Sequence, residues 1–190
     1  MSTIKRGEII TGTSGAQEEI FPVSTQEETL FTIFEDIFQN FYDKIHFGPL
    51  IEGAAWEVAA PNKPTRVSLY DGYLTVDFGP WHFHICIGEN KGTENNPTSE
   101  ALKQERRTSR AEFYRRLNKE MIPTSWGFRT FNGVGVQQVT IFLPSPFYQH
   151  SPFVKYEQPD WSKLEPWDHL RKKYLDLAPE ALDREGNLFF

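Results

Sequence analysis

The sequence predicts an α+β fold: a mostly antiparallel sheet of about five strands, built from two hairpin units and packed by two main helices. Three observations carry this reading. Two turn signals, Asp71-Gly72 and Asn132-Gly133, each lie between runs rich in β-branched and aromatic residues. Two long segments repeat apolar residues at three- and four-residue spacing. The strand connections are short, and a parallel pair would need a crossover of about a dozen residues. A chain of 190 residues can bury one sizeable core, and no composition break asks for a second domain.

Residues 1–22, polar and rich in Thr, Ser and Gly, read as a flexible leader, with 23–190 as the single domain. Ser24 and Glu27 have capping-box spacing. Behind them Leu30, Phe31, Ile33, Phe34, Ile37, Phe38, Phe41, Tyr42 and Ile45 predict a helix over 25–46, stopped by Gly48-Pro49. Its outer face is acidic, since 16–45 hold seven acids and one lysine. Residues 53–64, with two prolines, read as a connector.

A three-stranded meander over 65–88 comes next. Asp71-Gly72 is a type I′ signal between Thr65–Tyr70 and Tyr73–Phe78, and Gly79-Pro80 suits a type II′ turn into Trp81–Gly88. Two-residue loops fix the register by counting: Tyr70 faces Tyr73, Leu69 faces Leu74, Phe78 faces Trp81 and Val76 faces Phe83. Val67, Leu69, Leu74, Val76, Phe78, Trp81, Phe83, Ile85 and Ile87 then share the core face. A second helix is expected over about 98–121, with seven basic and four acidic residues, followed by a hairpin of Ser125–Phe131 and Val134–Leu143. From Pro144 the chain is aromatic and proline-punctuated. It reads as a wrapping segment over 144–190, with a short helix from Glu165-Pro166 to about Leu177.

Composition narrows the function. There are 26 acidic and 20 basic residues, a net charge of -6 and a pI near 5.4, which argue against nucleic-acid binding. No run is apolar enough for a membrane span and the start lacks a signal-peptide core, so the expected setting is cytoplasmic. A lone Cys86 excludes an internal disulfide framework and a four-cysteine zinc module.

The same register sorts the meander's other face into rows. Arg66, Asp77 and His82 form one, Ser68, Thr75 and His84 the next, and Tyr70, Tyr73 and Cys86 the last. His82 and His84, about 6.6 Å apart on one strand face, could converge on a zinc, iron or copper ion. Cys86, about 13 Å from His82, would join only through a bend. Asp77 could orient the His82 ring. The competing reading is two histidines hydrogen-bonded to Ser68, Thr75 and Asp77. A thiol nucleophile at Cys86 is disfavoured by its mid-strand place.

On a helix over 98–121, Arg106 and Arg110 continue the apolar stripe of Leu102, Phe113, Tyr114, Leu117 and Met121, while Arg107, Arg115 and Lys119 face outward. Inward arginines need a carboxylate or an anionic ligand. Arg66, Asp77, Arg106, Arg110 and Arg129 are therefore the candidate ligand-binding residues, beside a His82/His84/Cys86 metal site. The expected function is small-molecule or metal binding, enzymatic or not, in a pocket between the histidine face and Arg106/Arg110. The alternative is a non-catalytic interaction module or homo-oligomer using the acidic helix and the aromatic tail that ends in Leu188-Phe189-Phe190.

The stretches WHFHICIGENKGT, RRTSRAEFYRRL and TSWGFRTFNGVGVQQVTIFLPSPF, over about residues 65–148, together resemble a family of small uncharacterised bacterial proteins with no assigned activity. That resemblance implies a stand-alone soluble domain and carries no catalytic residue with it.

Overall fold

A computed structural model describes residues 7–12, 15–51, 53–150 and 152–186. In chain order the first elements are β1 (Glu8–Thr11), β2 (Gln17–Pro22), α1 (Glu27–Asn40), β3 (His46–Gly48), β4 (Leu50–Ile51), β5 (Ala54–Ala55), β6 (Val58–Ala59), β7 (Arg66–Tyr70), β8 (Tyr73–Asp77) and β9 (His82–Cys86). They continue as β10 (Gly92–Thr93), β11 (Asn96–Pro97), α2 (Glu100–Arg106), β12 (Thr108–Leu117), β13 (Pro123–Asn132), β14 (Gln137–Phe142), β15 (Tyr148–Gln149), β16 (Val154–Lys155) and α3 (Glu165–Leu175). Short 3-10 turns cover Trp161–Leu164 and Ala181–Arg184.

The fold is α+β, but the main sheet has seven strands, in the order β1-β2-β12-β13-β14-β3-β6, where about five were expected. The two hairpin units also part company: β7-β8-β9 form a separate three-stranded sheet. The surplus strands come from two sources. β3 and β6 are three and two residues long, too short to show a period. β1 and β2 come from the stretch 1–22 that its Thr, Ser and Gly content marked as a leader. In the sheet Glu18 faces Arg116 and Glu19 faces Arg115, and both carboxylates are buried.

The chain divides into two compact units. One contains Val23–Ala111 and Arg129–Phe142, and the other contains the residues up to Pro22, Glu112–Phe128 and the chain from Leu143 onward. In the first, α1 buries Leu30, Ile33, Phe34, Ile37 and Phe38 against the apolar face of the meander. Phe38 meets Phe47 edge-on at 5.0 Å, and Phe78 lies 4.6 Å from Trp81. Helix α1 is shorter than the expected 25–46, and no capping box forms. Ser24 Oγ instead accepts the Gln26 N–H at 3.2 Å. In the second unit Phe147 stacks on Trp126 at 6.2 Å, and Leu164, Trp167 and Leu170 are fully buried. The tail aromatics with those positions are core; Leu188-Phe189-Phe190 lie outside the described residues.

The largest correction concerns 98–121. Ser99 starts a helix as expected, its Oγ accepting the Leu102 N–H, but the helix ends at Arg106. Arg107 turns extended (φ -62, ψ 149) and β12 begins. The helical spacing is a coincidence of a strand covered on both sides. Ala111, Glu112, Phe113, Tyr114 and Arg115 are all buried, so the alternation that marks a half-exposed strand is missing.

The meander register is as counted from the sequence: Arg66 pairs with Asp77, Thr75 with His84, and Tyr73 with Cys86. Asp71 (φ 47) and Gly72 (φ 78) are both left-handed, as a type I′ turn requires, and Gly79 has φ 93. The Asn132 turn is longer than two residues. Asn132 N–H donates to the Val136 carbonyl, and Asn132 Oδ1 accepts from Val134 and Val136.

Candidate functional site

The meander's polar face carries the expected residues, and several are already engaged. His82 and His84 are exposed, with ring centroids 4.9 Å apart. His84 Nδ1 lies 2.8 Å from Thr75 Oγ1. Asp77 does not orient His82: one oxygen accepts the Gly79 N–H at 2.8 Å and the other faces Arg66 at 3.4 Å. Cys86 is buried, its Sγ 3.5 Å from the Gly88 carbonyl. Burial pushes its thiol pKa up, against the opposing pull of Arg106 and a hydrogen bond with Tyr73. Among the described residues no group of three His, Cys, Asp or Glu side chains is arranged to hold a metal ion.

The arginines are dispersed. Arg106 donates to Asn90 Oδ1 at 2.8 Å, and Asn90 in turn donates to Asp71, so Arg106 braces the first turn. Arg110 lies 3.6 Å over the Phe131 ring and Arg129 lies 5.5 Å from it. Arg66 is mostly exposed beside Asp77, where an ion pair is worth little. The inward arginine is Arg115, on the side expected to face water.

What the first unit does contain is an apolar cavity of about 490 Å³ beside β9. Its walls come from four separate stretches: Phe47, Gly48 and Pro49; Trp56 and Val58; Trp81, Phe83, His84 and Ile85; and Gln138 and Val139. Phe47 is the pivot of the aromatic wall, 5.3 Å from Phe83 and 6.1 Å from Trp81. Gly48 lets the other wall approach, because a Cβ there would sit 2.3 Å from the Trp56 carbonyl oxygen. Gln138 and Thr108 hold β9 in place. Gln138 Nε2 donates to the carbonyls of Cys86 and Arg106, and Thr108 Oγ1 donates to Gln138 Oε1 at 2.7 Å.

Residues 7–176 match the family of unknown function DUF7676. The chain belongs to this family. No curated protein matches it. The expected resemblance to proteins without an assigned activity therefore stands, over a longer stretch than the three motifs covered.

The second unit of this DUF7676 protein holds a buried charge cluster that sequence reasoning missed. Arg115 donates to Glu19 through Nε at 2.8 Å and meets Glu180 at 2.9 Å and Asp183 at 2.8 Å. Asp183, fully buried, accepts from both Arg115 and Arg171 and from the indole N–H groups of Trp126 and Trp167. Four donors on one carboxylate make it a clasp for the chain's end. The only sequence signal was the facing of Glu19 and Arg115 across β2 and β12, which becomes readable once both are known to be strands.

Proposed function

We propose that this DUF7676 chain is a small-molecule-binding domain whose ligand occupies the aromatic cavity beside β9. The cavity's volume, about 490 Å³, carries the reading, because ligand sites typically span about 300–1,000 Å³ and are lined by aromatic and aliphatic side chains. Trp56 supports it: a tryptophan lining a cavity yet 47% exposed leaves apolar surface that a ligand would cover. Titration with the neutral dye N-phenyl-naphthylamine tests the proposal. Saturable dye emission is expected near one equivalent, with at least about tenfold weaker binding in Trp56→Ala, the loss of one aromatic wall. Non-saturable binding, or a Trp56→Ala titration identical to wild type, would refute it.

A further inference from the structure

We infer that the cavity selects flat apolar ligands, uncharged or cationic, and rejects anions of the same shape. The inference rests on the binding reading above and names its ligand class. Four lining side chains carry polar atoms: Gln138, His84 and the indoles of Trp56 and Trp81.

Gln138 is spent within the protein. Both Nε2 hydrogens go to main-chain carbonyls, of Cys86 at 3.1 Å and Arg106 at 3.0 Å, and Oε1 takes the Thr108 hydroxyl. Turning the amide toward a ligand would strip hydrogen bonds from the Cys86 and Arg106 carbonyls and from Thr108, whose side chain is fully buried. His84 already has Thr75 against Nδ1, and its residue lies on the polar row of β9, the row opposite Phe83 and Ile85. Apart from the two indoles, the other described lining residues are apolar or glycine, and none carries a carboxylate, ammonium or guanidinium. An anion entering this cavity would lose hydration against aromatic ring faces, at a cost of several kcal/mol, with no ammonium or guanidinium among the described lining residues, whereas the same ring faces attract a cation.

Shape follows from the rings. Phe47, Trp81 and Phe83 are tilted against one another by 33° and 41° rather than perpendicular, forming a shallow aromatic wall across from Trp56 in the lining. A planar ring system offers its face to such a wall at the stacking distances aromatic pairs prefer. The anionic ligand expected from the arginines has no counterpart here, since Arg66, Arg106, Arg110 and Arg129 are absent from the lining.

The experiment is displacement of N-phenyl-naphthylamine from the full chain by three ligands of one shape: methylnaphthalene, naphthoate and naphthylmethylammonium. Methylnaphthalene and naphthylmethylammonium are expected to displace the dye, with naphthoate at least about tenfold weaker at pH 7. The displacement should be blunted in Trp56→Ala. If naphthoate displaces the dye as well as methylnaphthalene does, or the ammonium does no better than naphthoate, the ligand class is wrong while the cavity reading stands. A dye that never binds the wild-type chain overturns both.

Discussion

Asp183 shows how much one carboxylate can organise. It is fully buried and holds two guanidinium groups and two indole N–H groups, while Glu19 and Glu180 take other N–H groups of the same two arginines. Asp183→Asn keeps the shape but removes the charge, leaving two buried arginines short of a counter-ion. Breaking one partner of a buried ionic set costs about 3–5 kcal/mol, so the urea midpoint should fall by that equivalent. A loss under about 1 kcal/mol would mean that the carboxylate is not the clasp described. Cys86 teaches the reverse lesson. Burial raises its thiol pKa, which disfavours the thiolate that a nucleophile beside two histidines would need.

At the scale of elements, the meander was readable because both its turns announce their geometry. Asp71-Gly72 must be left-handed twice, and once those two residues are fixed every partner along β7 and β8 follows. Gly72 is demanded for a second reason, since a Cβ there would lie 2.6 Å from the Glu89 carbonyl. Gly72→Ala is therefore expected to cost about 1–3 kcal/mol, measured by thermal or urea unfolding. A neutral effect would show that the turn relaxes without consequence for β7–β9. Elements that lack such local anchors were hidden. β12 carries buried charge on a stretch, 111–115, that is covered on both faces, so its Glu112, Tyr114 and Arg115 broke the alternation and imitated a helix. The cavity was hidden for a different reason. Phe47, Trp56, Phe83 and Val139 meet only in space, and a high aromatic content was its sole trace in the sequence. The polar row of His82, His84 and Cys86 was correctly placed on one face by counting. Counting could not reveal that Cys86 would be buried, or that the Gly79 N–H would take one oxygen of Asp77.

At the scale of the whole molecule, no described helix is long and apolar enough to cross a membrane. Each unit carries a carboxylate held below the ordinary range. In one, the Lys91 and Gly92 N–H groups lower the Asp71 pKa. In the other, burial pushes Glu180 up but is outweighed by the Arg171 hydrogen bond and the nearby Arg115, so its pKa falls. Depressed folded-state pKa values bind fewer protons than the unfolded chain, so both contributions are complete above about pH 4.5 and drain away as pH falls through the folded values. The urea midpoint should be flat between about pH 7 and 5 and decline below about 4.5, with a shallower decline in Glu180→Gln. An identical slope in that variant would remove Glu180 from the account. The clasp also sets a schedule. Arg115 leaves the ribosome with Glu19 already made, but Asp183 arrives 68 positions later. At about 5–20 residues per second, that leaves a buried-to-be guanidinium waiting several seconds for its carboxylate. The cavity-bearing unit, whose last residue is Phe142, can be complete before then. Synthesis thus supplies every residue of the cavity-bearing unit before the carboxylate that closes the charge cluster of the other.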